Sequence, residues 1–106
     1  MVLEVFSATI NGTNRSNAVS LWKKLAGLIN KKFPDANAKV LTGLAADQVA
    51  LNRISLIVWH DSPSAWGKRR EEIFADAAMD AWMKEHQEKQ FTVMGTMAIK
   101  LYDVAD

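Results

Sequence analysis

The chain contains no cysteine, and this absence removes several classes of protein from consideration. Disulfide-stabilised folds, thiolate nucleophiles and cysteine-ligated zinc or iron–sulfur sites all need that side chain. An excess of either charge is also lacking, because 13 Lys and Arg residues are matched by 12 Asp and Glu residues. Nucleic-acid-binding domains usually carry a basic excess, so no nucleic-acid partner is expected.

Long hydrophobic runs are absent as well. The longest uninterrupted apolar run is Leu56–Trp59, which is far too short to span a membrane. The first residues include Glu4 and no basic side chain, unlike a secretory signal peptide. We therefore expect a cytoplasmic protein with no membrane partner. The 106 residues, of which 49% are hydrophobic, suit one globular domain over residues 1–106.

Four segments have the composition of β-strands, with many β-branched or aromatic residues and little Gly or Pro. These segments are residues 2–10, 38–46, 49–60 and 91–102. Only Asp47 and Gln48 separate the second segment from the third. A connection this short joins antiparallel neighbours, so these two strands are predicted to form a hairpin.

Two helical segments complete the chain. Residues 16–32 carry apolar side chains at the three-and-four spacing of one helical face, and Pro34 follows the end of this helix. Residues 63–88 form the second helix, which begins at Pro63 after the capping turn Asp61-Ser62.

The second helix carries apolar residues on opposite sides. On a helical wheel of about 100° per residue, Ile73 falls on the same side as Trp66, whereas Trp82 and His86 fall on the opposite side. Either the helix breaks near Asp76, which can cap a second piece, or its second half contacts a partner. We favour the break.

The order β-α-β-β-α-β predicts an α+β, ferredoxin-like fold: a four-stranded antiparallel sheet with two helices on one face. A sheet with one face in water should alternate apolar and polar residues. The third strand instead places Val58 on one side and Ile57 and Trp59 on the other. Two helices cannot cover both faces, so we predict that the sheet pairs with the sheet of a second copy, giving a homodimer.

One passage resembles a known group of proteins. Residues 54–86, ISLIVWHDSPSAWGKRREEIFADAAMDAWMKEH, join a strand to an Asp-Ser-Pro-Ser cap, an Ala-Trp pair and a second helical piece after an acidic cap. This passage is similar to the antibiotic-biosynthesis-monooxygenase-like and NIPSNAP-like domains of the dimeric α/β barrel (ferredoxin-like) superfamily. The resemblance covers nearly the whole chain, although residues 10–13 lack the Pro that these domains often carry there.

The resemblance implies a paired-sheet barrel but no single activity, because the superfamily hosts oxygenases, isomerases, haem-degrading enzymes and proteins with no known reaction. The haem-degrading members use an Asn on strand one and a Trp and a His on helix two. Here no Asn precedes Asn11, and Met83 stands near the place of that His. The two histidines also lack metal-binding spacing, so no cofactor and no metal are expected.

The two histidines are the candidate acid–base residues, because His titrates near neutrality. His60 ends strand three just before a helix, so it is either a general base at the mouth of a pocket or a side chain bonded to nearby backbone or solvent. His86 lies near the end of helix two, where the helix dipole alone would favour its charged form. The alternative is a role in a ligand site together with Trp82.

Four tryptophans are many for a chain this short, and they either line a cleft for a flat apolar ligand or fill the core and the dimer interface. Trp66 is the favoured pocket residue. Arg70 lies about 40° from it on the wheel, and either extends to solvent over the apolar face or binds an anionic group. Glu4 and Arg53 are charged residues within otherwise apolar strands. They are explained either by a cross-strand ion pair or by an acidic side chain in a pocket.

Three functions remain open. The first is a small-molecule-binding domain or cofactor-independent enzyme, monooxygenase-like or isomerase-like, for an apolar or aromatic compound. The others are a non-catalytic ligand-binding module and a structural dimerisation module. The cleft between helix two and the sheet distinguishes these functions. Polar side chains that converge in an apolar cavity favour the first, an apolar cavity without them favours the second, and the absence of a cavity favours the third. We expect Trp66, Arg70 and the catalytic candidate His60 to line that cleft, with Trp82 and His86 as further ligand-binding residues.

Overall fold

The structure is a computed structural model that describes residues 1–43 and 51–105. Within these residues, one layer is a four-stranded antiparallel sheet with strand order β2-β3-β1-β4, and three helices lie against one of its faces. The elements are β1 (Val2–Ile10), α1 (Arg15–Lys32), β2 (Lys39–Thr42), β3 (Arg53–His60), α2 (Pro63–Phe74), α3 (Ala77–Lys89) and β4 (Thr92–Asp103), with a short 3-10 turn at Pro34–Ala36. This is the α+β, ferredoxin-like fold that the element order predicts.

The central strand is β1, which pairs with β3 on one side and with β4 on the other. Phe6 of β1 lies opposite Leu56 in β3 and Ile99 in β4, so these three side chains share the face that meets the helices. Trp22 of α1 is fully buried and stacks on Phe6 with ring centroids 4.9 Å apart. This stack joins the first helix to the middle of the sheet.

The predicted break near Asp76 is confirmed. α2 ends at Phe74, α3 begins at Ala77, and the Asp76 carboxylate accepts a hydrogen bond of 2.8 Å from the backbone N–H of Ala78. Extended backbone at Asp76 lets α3 leave in a new direction. The apolar residues that fall on opposite sides of one continuous helix therefore belong to two helices, which explains the contradictory wheel.

The strands of the predicted hairpin are shorter than the sequence indicates. β2 and β3 are antiparallel neighbours, as predicted, but β2 ends at Thr42 and β3 begins at Arg53 rather than at residue 49. The Arg15 guanidinium donates hydrogen bonds to the carbonyls of Gly43 and Leu51, groups that a longer hairpin would use within the sheet. Residues 44–50, including the predicted turn Asp47-Gln48, lie outside the described part of the chain.

The other face of the sheet is also rich in apolar side chains. Register places Val5 opposite Ile57 and Leu3 opposite both Trp59 and Tyr102, all on the face away from the helices. Tyr102 remains 49% exposed in the single chain. The two-faced apolar character expected from the strand sequences is therefore present in the folded sheet.

A cross-strand ion pair between Glu4 and Arg53, one of the two interpretations open from the sequence, does not form. The register puts Glu4 opposite Val58 and Arg53 opposite Thr9, so the two charged side chains project from opposite faces of the sheet. Arg53 instead donates a hydrogen bond of 2.7 Å to the hydroxyl of Ser7. Across the described residues, the helices lack the combination of length and apolar character needed to cross a bilayer.

Candidate functional site

A cavity of about 440 Å³ lies between the helix-facing side of the sheet and the three helices. Its size falls within the range of small-molecule pockets, about 300–1,000 Å³. Most of its wall is apolar and comes from every layer of the fold, including Leu25, Ile29, Leu56, Val58, Met83 and Met97. An apolar molecule of moderate size could therefore bind in this cavity and be shielded from water.

A cluster of polar side chains lies at the end of the cavity where β3 leads into α2. His60 Nε2 lies 2.9 Å from Glu4 Oε1, and Arg69 Nη1 lies 3.4 Å from His60 Nδ1. Arg69 also donates to the backbone carbonyl of Trp59 at 3.0 Å and to Asp35 Oδ2 at 2.6 Å. The hydrogen bond from Arg69 holds the pKa of Asp35 below its ordinary value.

The hydrogen bonds within this cluster determine which of its polar side chains is available to contact a ligand. Arginine can only donate, so its contact assigns His60 Nδ1 as the acceptor and, in a neutral imidazole, places the proton on Nε2, facing Glu4. Both ring nitrogens of His60 are therefore occupied, and its side chain is 4% exposed, against 15% for Glu4. His60 lines the cavity as expected, but Glu4 presents the larger surface and has a second carboxylate oxygen outside the pair.

Trp66 and Arg70 also lie on the cavity wall, together with Phe74. The Arg70 guanidinium carbon lies 5.6 Å from the Trp66 ring centroid and 5.0 Å from the Phe74 ring centroid. Phe74 is 46% exposed, so this group marks the open side of the cavity. The three residues singled out on the strand-to-helix passage, His60, Trp66 and Arg70, thus share one cavity, and their roles in binding remain predictions.

Trp82 and His86 differ in their relation to the cavity, although their rings are in contact. Trp82 lines the cavity and is fixed by a hydrogen bond of 2.7 Å from its Nε1 to the carbonyl of Leu21. His86 is fully buried behind Trp82, with ring centroids 4.9 Å apart, and it does not line the cavity. Burial lowers the pKa of His86, the opposite of what the helix dipole alone would do.

Arg69 is the site residue that the sequence interpretation missed, because it lies in the charge run at residues 68–72, most of which we assigned to solvent. The available signal was its spacing, since Arg69 follows Trp66 by three residues and Arg70 follows it by four. Both positions share the Trp66 face of a helix. Within residues 1–43 and 51–105, no three His, Asp or Glu side chains cluster in a way that would hold a metal ion.

The sequence matches no family model and no curated protein. Solved structures do match along nearly the whole chain. A NIPSNAP domain protein of unknown function from Burkholderia xenovorans has a TM-score of 0.73 at 16% identity, covering 99% of this chain and 95% of its own. A proposed antibiotic biosynthesis monooxygenase from Deinococcus radiodurans has a TM-score of 0.68 at 11% identity, covering 100% and 94%. SnoaB, a cofactor-independent oxygenase from Streptomyces nogalater, has a TM-score of 0.68 at 13% identity, covering 99% and 93%.

These similarities decide the architecture. The chain has a ferredoxin-like fold, which it shares with these solved structures. The resemblance to monooxygenase-like and NIPSNAP-like domains is therefore confirmed at the level of fold, and identities this low carry nothing further about activity. In this ferredoxin-like chain the break at Asp76 separates α2 from α3, and the cavity lies between these two helices, α1 and the sheet.

Proposed function

We propose that the chain binds a small apolar or aromatic molecule in this cavity and acts on it as a cofactor-independent enzyme. The observation that carries the proposal is an apolar cavity of about 440 Å³ with a hydrogen-bonded polar cluster at one end. A purely structural subunit would be more stable without such a cavity, because an unfilled apolar cavity lowers the free energy of unfolding. SnoaB, which has the same fold, is a cofactor-independent oxygenase, so this architecture is compatible with such an activity.

The proposed chemistry is proton abstraction at the polar end. Glu4 accepts a proton from a hydroxyl or an activated C–H of the bound compound, while the His60 N–H stabilises the Glu4 carboxylate before transfer. Arg69 holds the His60 ring in the tautomer that donates to Glu4. His60, the base proposed from the sequence, becomes a positioning residue in this arrangement.

The proposed working form is a homodimer joined through the outer face of the sheet. Ile57, Trp59 and Tyr102 give that face an apolar surface that a monomer would leave in water. A second copy presents the same surface and covers it by symmetry. Light scattering of the purified chain should give twice the chain mass of 11.8 kDa. A well-folded monomer at micromolar concentration would contradict this assembly.

The binding step is tested with N-phenyl-1-naphthylamine, a neutral aromatic probe that fluoresces when it leaves water. The wild-type chain should bind it with a blue shift, and Met97→Trp, which fills the cavity, should weaken binding at least about tenfold, a loss of about 1.4 kcal/mol. Lys84→Trp is the control, because Lys84 is exposed on α3 and lies neither on the cavity wall nor on the outer face of the sheet. Equal binding by the two folded variants would show that the probe binds elsewhere.

The catalytic step needs the compound that the chain carries, and native mass spectrometry of the purified protein is the direct way to find one. With that compound in hand, Glu4→Gln should abolish turnover and retain binding. Glu4→Asp should keep partial activity, because it retains a carboxylate. Full turnover by the Gln variant would leave the chain as a non-catalytic binding module.

A further inference from the structure

We propose that Arg70 is an anion-binding residue, and that the ligand is an amphipathic anion: an apolar or aromatic body carrying one acidic group. The inference rests on the proposed ligand-binding function and narrows it to a class of compound. It starts from a difference between two arginines that are adjacent in sequence and line the same cavity.

Arg69 has its charge matched within the chain. It donates to the Asp35 carboxylate at 2.6 Å and to the Trp59 carbonyl at 3.0 Å, and a third contact reaches His60. A guanidinium with this many partners has little left to offer a ligand. Its role is to hold the polar cluster in place.

Arg70 differs in every one of these respects. Within the described part of the chain it makes no ion pair and no hydrogen bond to a carboxylate or carbonyl. Its neighbours are the rings of Trp66 and Phe74, at 5.6 and 5.0 Å from its central carbon. Both distances lie within the range of about 6 Å over which aromatic rings attract a cation.

These two ring contacts restrict the position of the guanidinium without using its N–H groups. An arginine held in this way keeps several N–H donors for the planar, two-point recognition of an acidic group. A half-buried charge beside an apolar wall is also disfavoured until it has a partner of opposite sign. A ligand whose acidic group meets Arg70 while its apolar body fills the cavity supplies that partner.

The acidic residue on the cavity wall, Glu4, does not cancel this preference. The Glu4 carboxylate would repel an anion placed beside it, but Glu4 is hydrogen-bonded to His60, which in turn contacts Arg69. Glu4 belongs to β1 and Arg70 to α2, whose Phe74 is on the open side of the cavity. The acidic group of the ligand is therefore expected toward α2 and the apolar body toward the sheet.

The test uses two fluorescent probes with the same ring skeleton: neutral N-phenyl-1-naphthylamine and anionic 1-anilinonaphthalene-8-sulfonate. Arg70→Gln should weaken binding of the sulfonate probe about tenfold or more, because a hydrogen bond to a charged group is lost. Affinity for the neutral probe should change by less than about twofold. Lys68→Gln, which removes the same charge from an exposed position on the same helix, should affect neither probe.

The outcomes separate this inference from the function on which it rests. If the wild-type chain binds the neutral probe and Arg70→Gln weakens both probes equally, the cavity binds ligands but Arg70 is only part of its wall, and the inference is overturned. If neither probe binds the wild-type chain, the proposed function itself fails. Near-UV circular dichroism must show native packing throughout, because the sulfonate probe also binds molten states.

A second measurement covers the case in which Arg70→Gln does not fold. Binding of both probes to the wild-type chain is followed as sodium chloride is added, since salt screens a charge–charge contact and leaves apolar burial in place. The affinity of the sulfonate probe should fall with salt while that of the neutral probe does not. Equal salt dependence of the two probes would overturn the inference.

Discussion

Mild acid should destabilise the folded chain through one residue, His86. Its side chain is fully buried, its Nε2 pairs with the Thr92 hydroxyl at 2.8 Å, and its ring stacks on Trp82 at an interplanar angle of 13°. Its Nδ1 is buried without a partner among the described residues. A second proton on this ring would place an unpaired charge in the core, and for this reason burial lowers the pKa from its usual 6.5.

The sign and size of the effect follow from proton linkage. Just below pH 6.5 the unfolded chain binds a proton at His86 and the folded chain does not. The free energy of unfolding therefore falls as the pH is lowered through this range, by up to about 1.4 kcal/mol per pH unit from this residue. Above that range His86 is neutral in both states and contributes no slope. Total stabilities of small domains are about 5–15 kcal/mol, so the loss is easily measured.

Urea denaturation at a series of pH values on both sides of 6.5 measures this slope. His86→Gln keeps a hydrogen-bonding group toward Thr92 and removes the titrating ring, so its slope should be smaller than that of the wild-type chain, whatever its absolute stability. If the substitution prevents folding, His86→Phe combined with Thr92→Val removes the ring nitrogens and the hydroxyl together. Identical slopes for wild type and variant would refute the reasoning.

Two acidic side chains make the free energy of unfolding depend on pH in a lower pH range than His86 does. Hydrogen bonds from Arg69 to Asp35, and from the backbone N–H of Ala78 to Asp76, lower the pKa of each carboxyl from 3.8. Carboxyls with lowered pKa stabilise the fold above that value, and this stabilisation is lost as the pH falls below it. The His86 slope is therefore measured above the range in which these two carboxyls titrate.

Two further predictions concern the helix break and the dimer. Asp76→Ala should lower the free energy of unfolding by about 1 kcal/mol in urea titrations, because the backbone N–H of Ala78 loses its capping carboxylate. The control Lys84→Ala, at an exposed position on α3, should change the free energy of unfolding by less than about 0.5 kcal/mol. Ile57→Lys should halve the mass seen by light scattering, because a charge in the middle of the outer sheet face opposes pairing; an unchanged dimer mass would place the interface elsewhere.

The helix break was predictable because its signals are local. A helical wheel needs only the order of residues, and it fails visibly when residues 63–88 are treated as one helix. Asp76 is a residue type that caps helices, and it lies between the two incompatible stretches. Strand identity was predictable for the same reason, since β-branched and aromatic runs such as Arg53–His60 fit a pleated sheet.

The limits of the β2–β3 hairpin were not predictable from composition. Apolar residues continue past Thr42 and precede Arg53, so strand propensity alone extends both strands. Arg15, 28 residues before Gly43 and 36 before Leu51, binds the carbonyls of both. Such long-range hydrogen bonds override a weak local preference, and the sequence contains no periodic signal for them.

The chemistry of the site likewise depends on contacts between residues that are far apart in the sequence. The sequence identifies His60 as a titratable side chain at a strand end, but its role depends on which ring nitrogen is free. Glu4, 56 residues away, occupies one nitrogen, and Arg69, nine residues away, contacts the other. With both nitrogens engaged, the imidazole cannot take a proton from a ligand without first losing a partner. Proton acceptance then falls to the carboxylate of Glu4.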